Sequence, residues 1–167
     1  LDNLNIVYQI ESNQNSESQI KLKDAKLAIW DGALAVEPVT IDPLSGDAKI
    51  TLTLNDINLK RFFDSIEIDG LEGKGRLDGR IPIRLHDHRI TIDDGRLMAK
   101  SPGILRFQSE KASQMLANAG AEMNFVLDAL QDFHYSELSL TINKSAAHDL
   151  TVTLSLLGQN PGIKEGK

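Results

Sequence analysis

The chain has 167 residues, no cysteine, and 18 basic against 24 acidic side chains for a net charge of −6. That length holds one domain with a sizeable core, and the charge argues against a phosphate-backbone partner, so no nucleic acid is expected. The missing cysteines exclude disulfides, thiolate metal sites and thiol catalysis, and leave the redox compartment open. No apolar run is long enough to span a bilayer. Leu1-Asp2-Asn3 is not a signal peptide and has no initiator Met, so a single domain over 1–167, cut from a longer polypeptide, is expected. Aromatics make only 5% of the chain, so any core or groove must be built from Leu, Ile and Val, which suit strands with a smooth aliphatic face.

Period-two alternation begins at once. Ile6, Tyr8 and Ile10 alternate with Val7, Gln9 and Glu11. After Ser18 the apolar parity holds Ile20 and Leu22, then switches to Leu27 and Ile29; a bulge or bend near Lys23 to Lys26 accounts for the switch. Asp31-Gly32 and Ser45-Gly46 read as turns. Ile50, Leu52 and Leu54 form the next apolar face, and "NLKRFFDS" (Asn58 to Ser65) predicts a short helical turn over about 58–65 pinned by Leu59, Phe62 and Phe63.

In "GRLDGRIPIRL" (Gly75 to Leu85), Leu77, Gly79, Ile81, Ile83 and Leu85 share one parity, and Arg76, Asp78, Arg80, Pro82 and Arg84 the other. One side is greasy and one charged. The charged side reads as the wet side of the strand, with a docking edge for lipid head groups or a partner subunit as the minority reading. Ile90 and Ile92 flank Thr91; Leu138, Leu140 and Ile142 alternate with polar residues, as do Leu150, Val152, Leu154 and Leu156. These are half-buried antiparallel strands. A loose Gly-x-aliphatic repeat launches several of them: Gly32-Ala33-Leu34, Gly75-Arg76-Leu77, Gly79-Arg80-Ile81 and Gly95-Arg96-Leu97.

From about 112 to 132, Leu116, Ala119, Met123, Val126, Leu127 and Leu130 recur at three- and four-residue spacing, predicting one long amphipathic helix weakened at Gly120. It either packs permanently on the sheet or serves as a lid over an apolar groove; its most ample partner is the strand face of Ile81 and Ile83.

Sites of chemistry are few. Gly73-Lys74-Gly75 fails as a dinucleotide loop, because it leads into a strand and supplies no helix N-terminus for a pyrophosphate. His86-Asp87-His88 places two imidazoles on one side of a strand end, compatible with zinc, but the segment reads better as a polar hairpin tip. His134 and His148 lack an obvious acid partner, and the scattered carboxylates form no recognisable acid–base pair. Asn143-Lys144-Ser145 reads as a solvated turn. The residues therefore point to no catalytic group, no metal and no cofactor.

Several stretches together resemble the AsmA-like superfamily of Gram-negative envelope proteins, and within it the YdbH family, also labelled a dicarboxylate transport family. They are "WDGALAVEPVTID" (Trp30 to Asp42), "IDGLEGKGRLDGRIPIRL" (Ile68 to Leu85), "IDDGRLMAKSPGILRF" (Ile92 to Phe107), "YSELSLTINK" and the tail from Asp149 to Lys167 with its Asn160-Pro161-Gly162 ending. The resemblance implies a C-terminal segment of a periplasmic bridge, anchored elsewhere in the inner membrane. Its strands would line a hydrophobic groove for phospholipid beside envelope proteins of the same bridge. It implies no catalytic residues, and the basic residues strung along a strand do not form the compact cluster a small dianion needs.

The expected architecture is a mainly β, curved antiparallel sheet or groove of amphipathic strands with the long helix and the short helical turn. On this reading Ile50, Leu52, Leu54, Leu77, Ile81, Ile83, Leu85, Ile90 and Ile92 face lipid, and Leu116, Met123, Val126, Leu127 and Leu130 form the face of a helical lid. The rivals are a structural or interaction domain whose apolar core is sealed, and a metal-dependent enzyme using His86 and His88.

Overall fold

The computed structural model describes residues 2–12, 18–42, 44–87, 89–116, 120–147 and 149–163. Its strands are β1 (Asp2–Ser12), β2 (Ser18–Ile29), β3 (Gly32–Val36), β4 (Val39–Ile41), β5 (Ala48–Asn58), β6 (Leu71–Lys74), β7 (Arg76–His86), β8 (Arg89–Ala99), β9 (Gly103–Phe107), β10 (Phe133–Lys144) and β11 (Leu150–Gln159). Three helices interrupt them: α1 (Leu59–Ile66), α2 (Glu110–Leu116) and α3 (Ala121–Leu130). All strands join one antiparallel sheet in the order β1-β2-β3-β5-β7-β8-β10-β9-β6, with β4 on β2 and β11 on β10. The sheet does not close into a barrel. Among the described residues, β1 and β11 pair on one side only.

Alternation within strands becomes rows across them, because directly paired residues point to the same face. Leu27 pairs Leu34, Leu34 pairs Leu54, Leu54 pairs Gly79, Gly79 pairs Leu97, Leu97 pairs Leu140, and Leu140 pairs Leu154. At about 4.8 Å per strand this row runs roughly 29 Å. A second row runs Ala25, Val36, Leu52, Ile81 and resumes as Gly95, Ile142, Val152. Nearer the hairpin tips follow Ile50–Ile83–Ile92 and Ala48–Leu85–Ile90.

Bulges keep these rows aligned and bend the sheet. The β1–β2 register skips Lys23, within the span where the parity switch demanded it. Others fall between Leu54 and Ile57, Arg80 and Ile83, and Tyr135 and Glu137. At two of them an Asp takes a left-handed backbone, Asp56 at φ 56° and Asp94 at φ 57°. Neither amide is left unpaired: Asp56 N–H donates to Asp78 Oδ1 at 2.7 Å and Asp94 N–H to Asn143 Oδ1 at 2.8 Å.

The short helix forms where expected. Asn58 Oδ1 accepts from the amides of Lys60 (3.0 Å) and Arg61 (3.3 Å), and Glu67 closes the other end in a left-handed conformation at φ 51°. Leu59 and Phe63 are buried, and Phe62 meets Trp30 edge-on with centroids 5.2 Å apart. The bare backbone of Gly73 admits them: a Cβ there would lie 2.7 Å from Leu59 Cγ and 2.8 Å from Phe63 Cε2. Gly75 and Gly103 likewise leave room for the Tyr135 hydroxyl, which donates to the Lys74 carbonyl at 2.9 Å. The Gly-Lys-Gly stretch is thus a packing device.

The single helix expected over 112–132 is two helices. Gly120 adopts φ +97°, a conformation incompatible with continuing a right-handed helix, and α3 starts after it. α3 packs against β9 and α2, not against β7, so it does not cover the strand face of Ile81 and Ile83. Its last turn is held by the tail: Asn160 Nδ2 donates to the carbonyls of Asp128 (3.1 Å) and Ala129 (3.2 Å).

Candidate functional site

The apolar face divides into a sealed flank and open rows. On the flank, Ile57, Leu59, Phe63, Leu77, Leu97, Leu105, Tyr135 and Leu138 form one buried cluster with Leu54 and Leu140. α1 covers this end, and burial raises the pKa of the Tyr135 phenol. Away from α1 the cover stops. Ile50, Leu52, Ile81, Ile83, Leu85 and Ile92 are only half-buried, Ile90 is 48% exposed, and Val152 and Leu154 on β11 are 54% and 40% exposed.

Of the nine side chains expected to face lipid, Leu54 and Leu77 therefore lie in the packed core, at 3% and 0% exposure. The other seven line the open rows. The expected lid residues are not brought to them. Leu130 packs against the core cluster, Met123 and Leu127 are half-buried, Val126 is exposed, and the side chain of Leu116 lies outside the described residues. β11 supplies open apolar surface that the expected set omitted. Its alternation was legible, but only the cross-strand register shows that Val152 and Leu154 prolong the rows of Ile81 and Leu97.

The opposite face is charged and internally matched. Arg80 donates twice to Glu37, at 2.8 Å each, which lowers the Glu37 pKa and raises that of Arg80. Lys100 bonds Asp56 at 3.0 Å, lowering the Asp56 pKa, and Arg76 reaches the carbonyls of Asp31 and Asp56 at 2.9 and 2.8 Å. Arg96 bonds Asp94 at 2.8 Å. Exposed pairs of this kind contribute little stability each; their effect is to neutralise the charges of Arg76, Arg80, Arg96 and Lys100 locally.

At the hairpin-tip end of β5, β7 and β8 lies a cavity of about 750 Å³ whose walls include Asp47, Lys49, Arg84, Leu85, His86 and Arg89. His86 Nδ1 lies 2.7 Å from Asp47 Oδ1, joining the end of β7 to the loop before β5. This hydrogen bond, with the charges of Asp47 and Asp87, raises the His86 pKa against the opposing effect of Arg89. A raised histidine pKa means the folded state holds the proton more tightly. The stabilisation is fully present below the unfolded value, about 6.5, and is lost as pH rises through the folded value. In an NMR titration the His86 ring should titrate above 6.5, and Asp47→Asn should lower its midpoint. An unchanged midpoint in the variant would refute the pairing.

His88 and His148 lie outside the described residues. Among those described, no three His, Cys, Asp or Glu side chains come close enough to hold a metal ion, and no helix is long and apolar enough to cross a membrane. What the site can do is bind apolar matter along rows of interchangeable Ile, Leu and Val contacts, without a directional bond to fix its position. Comparison with curated proteins and with solved structures gives no match. A family model does match, over residues 1–167, and its description is YdbH-like, intermembrane phospholipid transport protein YdbH. The chain, an open antiparallel sheet with a sealed flank and exposed apolar rows, belongs to the YdbH-like family of lipid-transport proteins.

Proposed function

We propose that this chain is one segment of a longer periplasm-spanning bridge of a Gram-negative envelope, and that its open rows shield phospholipid acyl chains on their way between inner and outer membranes. The observation that carries the reading is the set of apolar rows across β5 to β11 in which Leu52, Ile81, Ile83, Leu85, Ile90, Val152 and Leu154 are half-buried or exposed. Hydrating an acyl tail costs about 0.8 kcal/mol per methylene, on the order of 12 kcal/mol for a whole tail. Rows of aliphatic side chains offset most of that, and because no single contact dominates, a lipid can slide along them. The rows run across the strands, so strands added beyond β1 or β11 would lengthen the path without changing its character.

The rival is a structural domain with a sealed core and no lipid contact. Native mass spectrometry of the chain purified from a bacterial envelope separates the two. Retained phospholipid, lost in an Ile83→Asp variant that keeps its fold, is the expected result. A lipid-free chain after gentle purification would favour the sealed domain.

A further inference from the structure

We propose that Lys144 is a phosphate contact for a glycerophospholipid whose acyl chains lie on the open rows; this rests on the lipid-carrying reading above. Lys144 stands on the apolar side of the sheet. β10 pairs β11 without a register shift from Leu138 to Lys144, so Lys144 shares the facing of Leu140 and Ile142. Its cross-strand partners are Ile92 on β8 and Leu150 on β11, which makes it a member of the row of Ile50, Ile83 and Ile92. Among the described residues, every other member of the four rows is glycine, alanine, valine, leucine or isoleucine. A single charge thus interrupts them.

The ammonium has no counter-charge. Lys144 is half-buried, donates to the Ile90 carbonyl at 2.9 Å, and has no carboxylate within ion-pair reach among the described residues. On the opposite face Arg80, Arg96 and Lys100 are each paired with a carboxylate. A partly desolvated charge without a partner is unfavourable, and the remaining N–H donors of the ammonium still need acceptors. Its bond to Ile90 carries the charged head toward the start of β8, at the hairpin-tip border of the open rows. Ile90 and Leu150 beside it are 48% and 61% exposed, so a ligand meets no cover there. What satisfies this point is an apolar body for the rows joined to an oxyanion for the ammonium, and a lipid phosphate supplies the charge-assisted bond. On rows otherwise without a directional contact, Lys144 marks where the head of the lipid rests.

The test titrates the whole chain, followed by NMR, with three probes: dihexanoylphosphatidylglycerol below its micellar concentration, dihexanoylglycerol, and inorganic phosphate. Lys144→Met keeps an apolar stem and removes the charge. It should weaken phosphatidylglycerol binding about tenfold and leave dihexanoylglycerol binding unchanged, and Lys144→Arg should keep most of the affinity. Unchanged phosphatidylglycerol binding by Lys144→Met would overturn the phosphate contact while the lipid-carrying rows stand. Equal weakening of both lipids would overturn it too, leaving Lys144 as a tie between strand ends only. Inorganic phosphate binding as tightly as the phospholipid would show an ion site independent of lipid and equally overturn the proposal. Binding of neither lipid by the unmodified chain would remove both the contact and the reading on which it rests. Should Lys144→Met lose its fold, the unmodified chain decides: the Lys144 ε-methylene resonances should shift farther with phosphatidylglycerol than with dihexanoylglycerol, and equal shifts would overturn the contact.

Discussion

Leu77→Asp is expected to unfold this domain, whereas Ile83→Asp should leave it folded and abolish the lipid binding proposed for it. The two residues lie on one face of one strand, six positions apart in β7, yet their surroundings differ. Leu77 is 0% exposed, paired with Ile57 and Ala99, in the cluster that α1 covers. A carboxylate there has no cationic partner in the cluster and costs several kcal/mol even after it takes up a proton. Total stability of such a domain is about 5–15 kcal/mol, and removal of the leucine's own packing adds to the loss. Ile83 pairs Ile50 and Ile92 in the open rows and is half-buried. Its replacement forfeits about 1–2 kcal/mol of apolar burial while the new charge stays hydrated. On the proposed function it also places a charge where an acyl chain would lie. Chemical denaturation with native mass spectrometry distinguishes the cases. If Ile83→Asp unfolds as completely as Leu77→Asp, the rows are a sealed core.

The strand rhythm was plain in the sequence because period two survives wherever one face stays dry, and even the bulge after Leu22 showed as a parity slip. α1 was legible too, since Asn58 is a strong cap and Leu59, Phe62 and Phe63 have helical spacing. Less legible was which strands pair. β6 and β7 are consecutive, yet β6 pairs β9 and β7 pairs β5 and β8. Spacing alone does not reveal that crossover, and with it went the division of the apolar face into a covered flank and open rows. Leu54 and Leu77 share their parity with Ile50 and Ile83, so alternation could not tell a core position from an open one.

The helix over 112–132 failed for a local reason and a distant one. Its apolar spacing runs straight through Gly120, but the backbone there turns to φ +97°. The partner that holds α3 is Asn160, more than thirty residues away by its contact with Asp128. The Asn-Pro-Gly tail that carries the family resemblance thus also caps this helix. The cationic cavity was similarly invisible: Lys49, Arg84 and Arg89 are unremarkable until the β5–β7–β8 register sets them side by side.

Ile81 and Arg80 are neighbours in β7 with opposite facing: Ile81 lies in the open second row beside Leu52, while Arg80 is tied to Glu37 on the charged side. A photo-crosslinking amino acid at either position, in cells producing the protein that carries this chain, reads the difference directly. At Ile81 the expected result is a covalent adduct whose mass and phosphate content identify phospholipid, and at Arg80 none above background. Equal capture at both positions, or capture at Arg80 alone, would contradict the open apolar rows as the path of the lipid.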